Sequence, residues 1–445
     1  MEERLKQENL KSLLFSLAIP AILAQIVTLI YNLVDRIYIG RMEDGALAMA
    51  AIGLCVPLTT IINAFNGLFC RGGSPLSSIA LGKQDHEEAN RILSQSFMML
   101  VLSSIVITVV FICFQDSILY LFGASSQTIG YAKDYISVYV LGTIFVQLTV
   151  GLNYFVNAQG FAKFGMLTVL FGAGLNILLD PVFIFTFKMG VRGAALATIL
   201  SQAVSCFWVL HFFRSKRSIL HIQRDYLKPD GRIIRKIISL GASPFFMSAS
   251  EGLLTISFNQ QLLRFGGDLA VSAMTIMTSM WQMILLPIEG VAQGSQPIIS
   301  YNYGAKAYER VRGTISLAFK VTCLYSLVGV GLMELFPNFF CGLFTSDPEL
   351  LQLACPMLQI YIFGGCIMGI NSTCQQSYTS LGEGKKSFFF AFLRKILLLI
   401  PMIFLFPMIF PFQLMAVVLA EPVSDLITTI SNFIFFRYFL KQKLK

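Results

Sequence analysis

Four oxygen-bearing side chains fall where an apolar chain should carry none. In the run Gly172-Ala-Gly-Leu-Asn-Ile-Leu-Leu-Asp-Pro-Val-Phe-Ile-Phe-Thr-Phe187, Asn176 and Asp180 are four residues apart. On a helix that spacing puts them on one face. A carboxylate within a membrane-length apolar helix is costly, and it normally faces protein or a water-filled cavity. Each helical residue rises about 1.5 Å, so counting inward from the nearest basic residue gives depths. Asp35, six residues before Arg41, is roughly 9 Å in, and Asp180, eight before Lys188, is roughly 12 Å in. Thr198, six after Arg192, is again roughly 9 Å in, and Asn176 lies a turn deeper than Asp180. Two carboxylates, an amide and a hydroxyl at similar depth can hold a proton between them, or a hard cation such as Na⁺ in its place. The bland alternatives are a pair between Asp35 and its neighbour Arg36, and a local structural role for Asp180 beside Pro181.

The second half of the chain carries a different set. Glu251 and Glu289 lie inside apolar runs, Glu421 and Asp425 are one helical turn apart, and Arg394-Lys395 interrupts another run. Acidic groups in a cavity favour cationic ligands, whereas pairing with Arg394 and Lys395 would spend them internally; for Asp425 the pairing is the expectation. Met274, Met277, Met280 and Met283 recur beside Trp281. Soft thioether and aromatic surfaces suit adaptable apolar binding, although most such side chains simply pack. Glu251, Glu289, Asn153, Met280 and Trp281 form the candidate substrate-contacting set.

These residues need a scaffold, and composition names it. Of 445 residues 56% are hydrophobic and 13% charged, with a mean hydropathy of +0.71. Soluble domains carry about 25% charged residues. Apolar runs of about 20 residues, each able to cross roughly 30 Å of hydrocarbon, recur throughout. The fold class is an all-α polytopic membrane protein. Twelve spans are expected, at about 12–39, 47–80, 93–119, 131–159, 164–187, 190–213, 234–263, 269–301, 313–341, 350–381, 387–410 and 413–439. No removable signal peptide precedes the first. Nine cysteines without a CxxC pair read as small buried residues, and three histidines lack metal-site spacing. No phosphate-binding or dinucleotide fingerprint occurs, so neither an ATP motor nor an enzyme is expected.

The net charge of +9 is asymmetric along the chain. Basic residues crowd the connectors on the side of both termini, most densely from Arg214 to Lys236, and are sparse on the other side. This distribution places both termini in the cytoplasm of a cell membrane and argues against a nucleic-acid partner. Sliding the chain along itself until Gly72 meets Gly294 also brings Pro75 onto Pro297, Gly82 onto Gly304, Gly142 onto Gly364 and Lys163 onto Lys385, without a gap. Each half therefore holds six spans in the same orientation, related by a pseudo-twofold axis along the membrane normal with a site between them. The division is an N-lobe of residues 1–213, a linker of 214–233 and a C-lobe of 234–445. At the register of Asn176 and Asp180 the second half has Leu398 and Met402, so the carboxylate pair belongs to one lobe only.

Several stretches together resemble the multidrug and toxic compound extrusion family. They are Pro20 with Val34-Asp-Arg-Ile-Tyr-Ile-Gly40, Ala158-Gln-Gly-Phe-Ala-Lys163, Asn176-Ile-Leu-Leu-Asp-Pro181, Gln293-Gly-Ser-Gln-Pro-Ile-Ile-Ser-Tyr-Asn-Tyr-Gly304 and Glu421-Pro-Val-Ser-Asp425. The Asn-x3-Asp-Pro stretch is similar to the branch of DNA-damage-inducible protein F and bacterial multidrug relatives. The resemblance implies an N-lobe cation site at Asp35, Asn176, Asp180 and Thr198, with Tyr139 or Tyr135 joining it. The same four would ligate the metal if the ion is Na⁺, and no other cofactor is implied. Two positions depart from the family pattern: Asn157, where relatives often have Arg, and Asn371, where another branch has an acidic residue. The implied activity is secondary antiport, by a protein expected to be monomeric. It would export organic cations or amphipathic drugs against H⁺ or Na⁺. Lipid-linked oligosaccharide flipping is the alternative, which would require cationic cavity residues such as Arg36, Arg71, Arg394 and Lys395.

Overall fold

The computed structural model describes residues 2–444. A short helix, Glu2–Gln7, precedes span 1, Leu10–Gly40, which runs unbroken through Pro20. Span 2 is Gly45–Gly82, span 3 His86–Leu121, span 5 Ala162–Thr186 and span 6 Val191–Arg214. Span 4 is a bent pair, Ile129–Leu141 and Thr143–Ala158, turning by 56° at Gly142. Spans 7 and 8 form one helical stretch, Gly231–Gly304, broken where Gly267 takes φ 64° and ψ −162°. A left-handed φ is cheap only for glycine. The loop expected between these spans thus shrinks to Gly267 itself.

In the second half, span 9 is Tyr308–Leu335, span 11 Gly384–Ile409 and span 12 Gln413–Lys443. Span 10 is a second bent pair, Pro348–Ile362 and Gly365–Ser380, turning by 40°. Its break includes Gly364, the repeat equivalent of Gly142. Span 9 ends earlier than the 313–341 expected. Phe336 leaves the helical region and Pro337 starts a separate short helix, Pro337–Gly342.

Among the described residues, three wide π-helical turns interrupt the spans, at Gly67–Arg71, Val182–Thr186 and Leu393–Leu399. Each lies within about a turn of a proline: Pro75, Pro181 and Pro401 respectively. Proline removes an N–H and crowds the preceding turn, and the ladder absorbs this by widening. In span 5 the Phe187 amide consequently bonds the Val182 carbonyl at 2.9 Å. The first and third of these turns carry Arg71, and Arg394 with Lys395, into the interior.

The apolar core shows how the lobes meet. One cluster joins Leu13, Leu17 and Leu93 of the first half to Ile237, Ile298 and Tyr301 of the second. Farther from the chain ends the core divides. One cluster runs from Ile39 to Ala195 within the first six spans, another from Leu254 to Ala420 within the last six. The molecule is a V, closed on the side of the chain ends and open opposite. At its apex the two halves touch by backbone. A Cβ on Gly82 would lie 1.9 Å from the Tyr301 carbonyl oxygen, and one on Gly304 would lie 2.1 Å from that of Ile79. Ile79 and Tyr301 correspond under the same repeat register, so each glycine meets the other's equivalent neighbour.

The polar linker between the halves is pinned rather than loose. Gln95 donates to the Tyr226 and Lys228 carbonyls and accepts from the Asp230 amide. Asn90 and Ser94 accept from the His221 and Gln223 amides. Gln159 Oε1 accepts from the Ile219 and Leu220 amides. The short N-terminal helix is held from the other lobe. Asn302 Nδ2 donates to the Leu5 carbonyl, and Arg310 donates to the Leu5 and Glu8 carbonyls.

Candidate functional site

Each arm of the V encloses a cavity beside the inner faces of its helices. The N-lobe cavity, of about 410 Å³, is lined by Asp35, Thr198, Tyr31, Tyr139, Asn63 and Asn153 among others. Asn176 and Asp180 sit immediately behind that wall, 3% and 0% exposed. Asn176 Nδ2 donates to Asp180 Oδ1 at 3.2 Å and to Thr198 Oγ1 at 3.4 Å. The Thr198 hydroxyl donates in turn to the Ala194 carbonyl at 3.1 Å. Asp35 lines the same cavity as Thr198, the residue to which Asn176 donates. Spans 1, 5 and 6 therefore bring all four predicted groups to one place.

The cluster has chemistry left over. Asp35 Oδ1, Asn176 Oδ1 and Asp180 Oδ2 are buried without a protein donor. Buried acceptors are costly unless a donor or a cation meets them. Arg36 is exposed, and among the described residues Asp35 forms no ion pair. The set suits a proton or a hard monovalent cation, which oxygen ligands prefer. Tyr139 is buried against Tyr135, the rings stacked at 5.5 Å, and both line the same cavity as Asp35. Sequence reasoning missed Tyr31, which lines the same cavity as Asp35. Its signal was present, since it lies four residues before Asp35 and so on the same face.

The C-lobe cavity, of about 450 Å³, contains Glu251, Glu289 and Trp281 from the predicted set. Glu251 Oε1 accepts from Lys395 Nζ at 2.7 Å. Arg394 donates to Asp425 at 2.5 Å and to Glu421 at 3.3 Å, all three nearly inaccessible. The expected pairing thus holds for Asp425, and Glu251 is both paired and cavity-facing. Trp281 packs edge-on to Tyr361, with centroids 5.8 Å apart. Met280 is the exception. It is 0% exposed and packed in the C-lobe core, so it does not line the cavity. Its neighbour Trp281 faces the cavity because adjacent helical residues point about 100° apart. Asn153 belongs to the N-lobe cavity instead, where its amide donates to the Gly165 carbonyl at 3.2 Å.

Between the arms a smaller pocket of about 110 Å³ sits just above the apex. Arg71 reaches into it with its guanidinium 5.6 Å from the centre of the Tyr154 ring. Glu289 lines this pocket as well as the C-lobe cavity, so the two chambers adjoin.

The MatE family model matches residues 20–182 and 245–435, which covers both halves and most of the chain. The multidrug export protein MepA of Staphylococcus haemolyticus is 27% identical over 368 residues, 83% of this chain and 81% of the relative. MepA of Staphylococcus aureus is 26% identical over 394 residues, 87% and 85% of the two chains. A crystal structure of MATE in the bent conformation superposes with a TM-score of 0.93 at 23% identity, over 99% of this chain and 98% of that one. An outward-facing multidrug resistance MATE family transporter of the MOP superfamily gives 0.91 at the same identity and coverage. At that identity the structural likeness establishes the fold, which is the twelve-span, two-lobe arrangement described above. With its fold, its internal repeat and the family match all covering both halves, the chain belongs to the MatE family of membrane transporters.

Proposed function

We propose that the protein is a secondary active multidrug efflux antiporter. It exports organic cations or amphipathic drugs in exchange for H⁺ or Na⁺ bound at Asp35, Asn176, Asp180 and Thr198, with Tyr139 alongside. The observation that carries this reading is the set of three unpartnered buried oxygens, one on a residue of the cavity wall and two on the hydrogen-bonded pair behind it. The positive-inside distribution puts the chain ends, and so the closed apex, on the cytoplasmic side. The open V then gives the exterior access to the N-lobe cavity, whose wall holds Asp35 and Thr198, and the coupling ion enters from there. Ion and drug drive a cycle only if each favours a different lobe arrangement, because a ligand shifts an equilibrium by no more than its differential affinity. The names of the MepA relatives support drug export.

The flippase alternative needs free cationic groups for a pyrophosphate. Arg394 and Lys395 are instead occupied by Asp425, Glu421 and Glu251, and Arg36 is exposed, so Arg71 alone of the four lines a cavity without an ion pair among the described residues, which disfavours a pyrophosphate site.

The test is ethidium efflux from everted vesicles with the H⁺ and Na⁺ gradients imposed separately. Asp35→Asn and Asp180→Asn, inserted normally, are expected to abolish gradient-driven efflux. Wild-type rates in both variants would remove the coupling role.

A further inference from the structure

The two chambers differ in how their charge is balanced. The N-lobe cluster holds two carboxylates with no basic residue paired to them among the described residues. The C-lobe cavity is lined by Arg71, Arg394 and Lys395 and by Glu251, Glu289 and Glu421, with Asp425 directly behind Arg394. Three basic groups against four acidic ones leave a single net negative charge. Arg394 is locked between Asp425 and Glu421. The Lys395–Glu251 pair is different. The Lys395 side chain is 8% exposed and that of Glu251 61%, so the lysine reaches out of the wall to hold a carboxylate that faces the cavity. A buried charge left unpaired is strongly unfavourable, so Lys395 remains where it is whether or not a ligand is present.

The remaining surface suits a flat apolar body. Trp281 and Tyr361 present an edge-to-face pair, and Met274, Met368 and Phe258 complete the wall. Aromatic faces attract organic cations and thioethers adapt to varied shapes. A cavity of about 450 Å³ falls in the range of drug-sized ligand sites.

We propose that the C-lobe cavity is the drug chamber, that it selects ligands carrying one positive charge on a flat apolar body, and that Lys395 sets this limit by neutralising Glu251. The inference rests on the efflux reading and adds to it the ligand's charge and a residue that fixes it. Lys395 thus acts as a specificity determinant, excluding dications by repulsion as well as by lack of a second counter-charge.

Ethidium and propidium test it, because they share one ring system and propidium carries an additional quaternary ammonium. Binding is measured by fluorescence on the purified full chain in nanodiscs. The wild type is expected to prefer ethidium by about tenfold or more, as one unit charge across a partly solvated cavity warrants. Lys395→Met is expected to shift the ethidium-to-propidium ratio toward propidium by about tenfold, and Lys395→Arg to preserve it. Glu251→Gln, whose amide oxygen can still accept from Lys395, is expected to weaken ethidium by about tenfold and decides the matter if Lys395→Met does not fold. An unchanged ratio in folded Lys395→Met, or unchanged ethidium affinity in Glu251→Gln, overturns the inference and leaves the efflux reading intact. Failure of the wild type to bind either dye overturns both.

Discussion

The apex of the V makes a quantitative demand on two glycines. In Gly82→Ala the new methyl carbon would start 1.9 Å from the Tyr301 carbonyl oxygen. Carbon and carbonyl oxygen normally approach no closer than about 3.3 Å, so the helices must part by roughly 1.4 Å. No rotamer can relieve this, because both atoms are fixed to backbone. Overpacking of this kind costs about 1–3 kcal/mol, and about 2 kcal/mol is roughly a thirtyfold change in population. The cost falls only on the arrangement in which spans 2 and 8 touch. A transporter that rocks escapes it by separating the lobes at this end, and packed interfaces tend to switch rather than stretch. Gly82→Ala is therefore expected to shift the population toward a state open at the apex, and Gly304→Ala, with its 2.1 Å contact to Ile79, to do the same. Lys163 and Lys385 are exposed, equivalent under the repeat, and on the apex side of opposite lobes. Spin labels there, after replacement of the exposed Cys113, report the separation by pulsed electron resonance. A longer distance population in both variants is expected. Distances identical to those of the unsubstituted protein, in a folded variant, would refute the backbone-seam account.

Further predictions concern the polar interior and the connectors. Arg394→Met leaves Asp425 and Glu421 buried without their partner and should lower stability by about 3–5 kcal/mol, read as a fall in melting temperature in detergent. Adding Asp425→Asn to it should recover part of the loss. Gln95→Leu frees the Tyr226 and Lys228 carbonyls and the Asp230 amide, so trypsin should cut the linker at Arg217, Arg224 or Lys228 markedly faster than in the wild type. Burial raises the Glu383 carboxyl, but Lys386 and Lys443 outweigh it and hold the group below the usual carboxylate range. A lowered folded-state value contributes stability above the unfolded value, and that contribution is lost as pH falls through the folded one. The melting-temperature gap between wild type and Glu383→Gln should accordingly be present at neutral pH and close below about pH 4.

Much of this architecture was legible because membrane insertion is itself a coarse, local rule. Apolar run length located the spans, and charged residues marked their ends. The repeat was visible because glycines and prolines survive at seams and bends. Gly82 and Gly304 meet at the apex, and Gly142 and the break that includes Gly364 bend their spans alike. The oxygen cluster was accessible by depth counting, since a straight helix converts residue number into height. Which side a helix turns was not accessible in the same way. Met280 and Trp281 are neighbours, and periodicity cannot tell a face packed on the core from one that lines a chamber. Tyr31 escaped because an aromatic residue in an apolar run carries no anomaly by itself. The linker clamp escaped for another reason. Its side chains are Asn90, Ser94, Gln95 and Gln159, far along the chain from their partners and ordinary at the ends of spans.

The short helix at the start of the chain has a consequence for biogenesis. Leu5 is 1% exposed, and the carbonyls of Leu5 and Glu8 receive donors from Asn302 and Arg310. Residues 2–7 are made before spans 8 and 9, yet their seat is completed only when those spans have entered the membrane. Until then this segment must wait undocked while span 1 is already inserted. Closure of the apex is therefore a late step in assembly, and residues 2–7, made ahead of span 1, reach their place long after it.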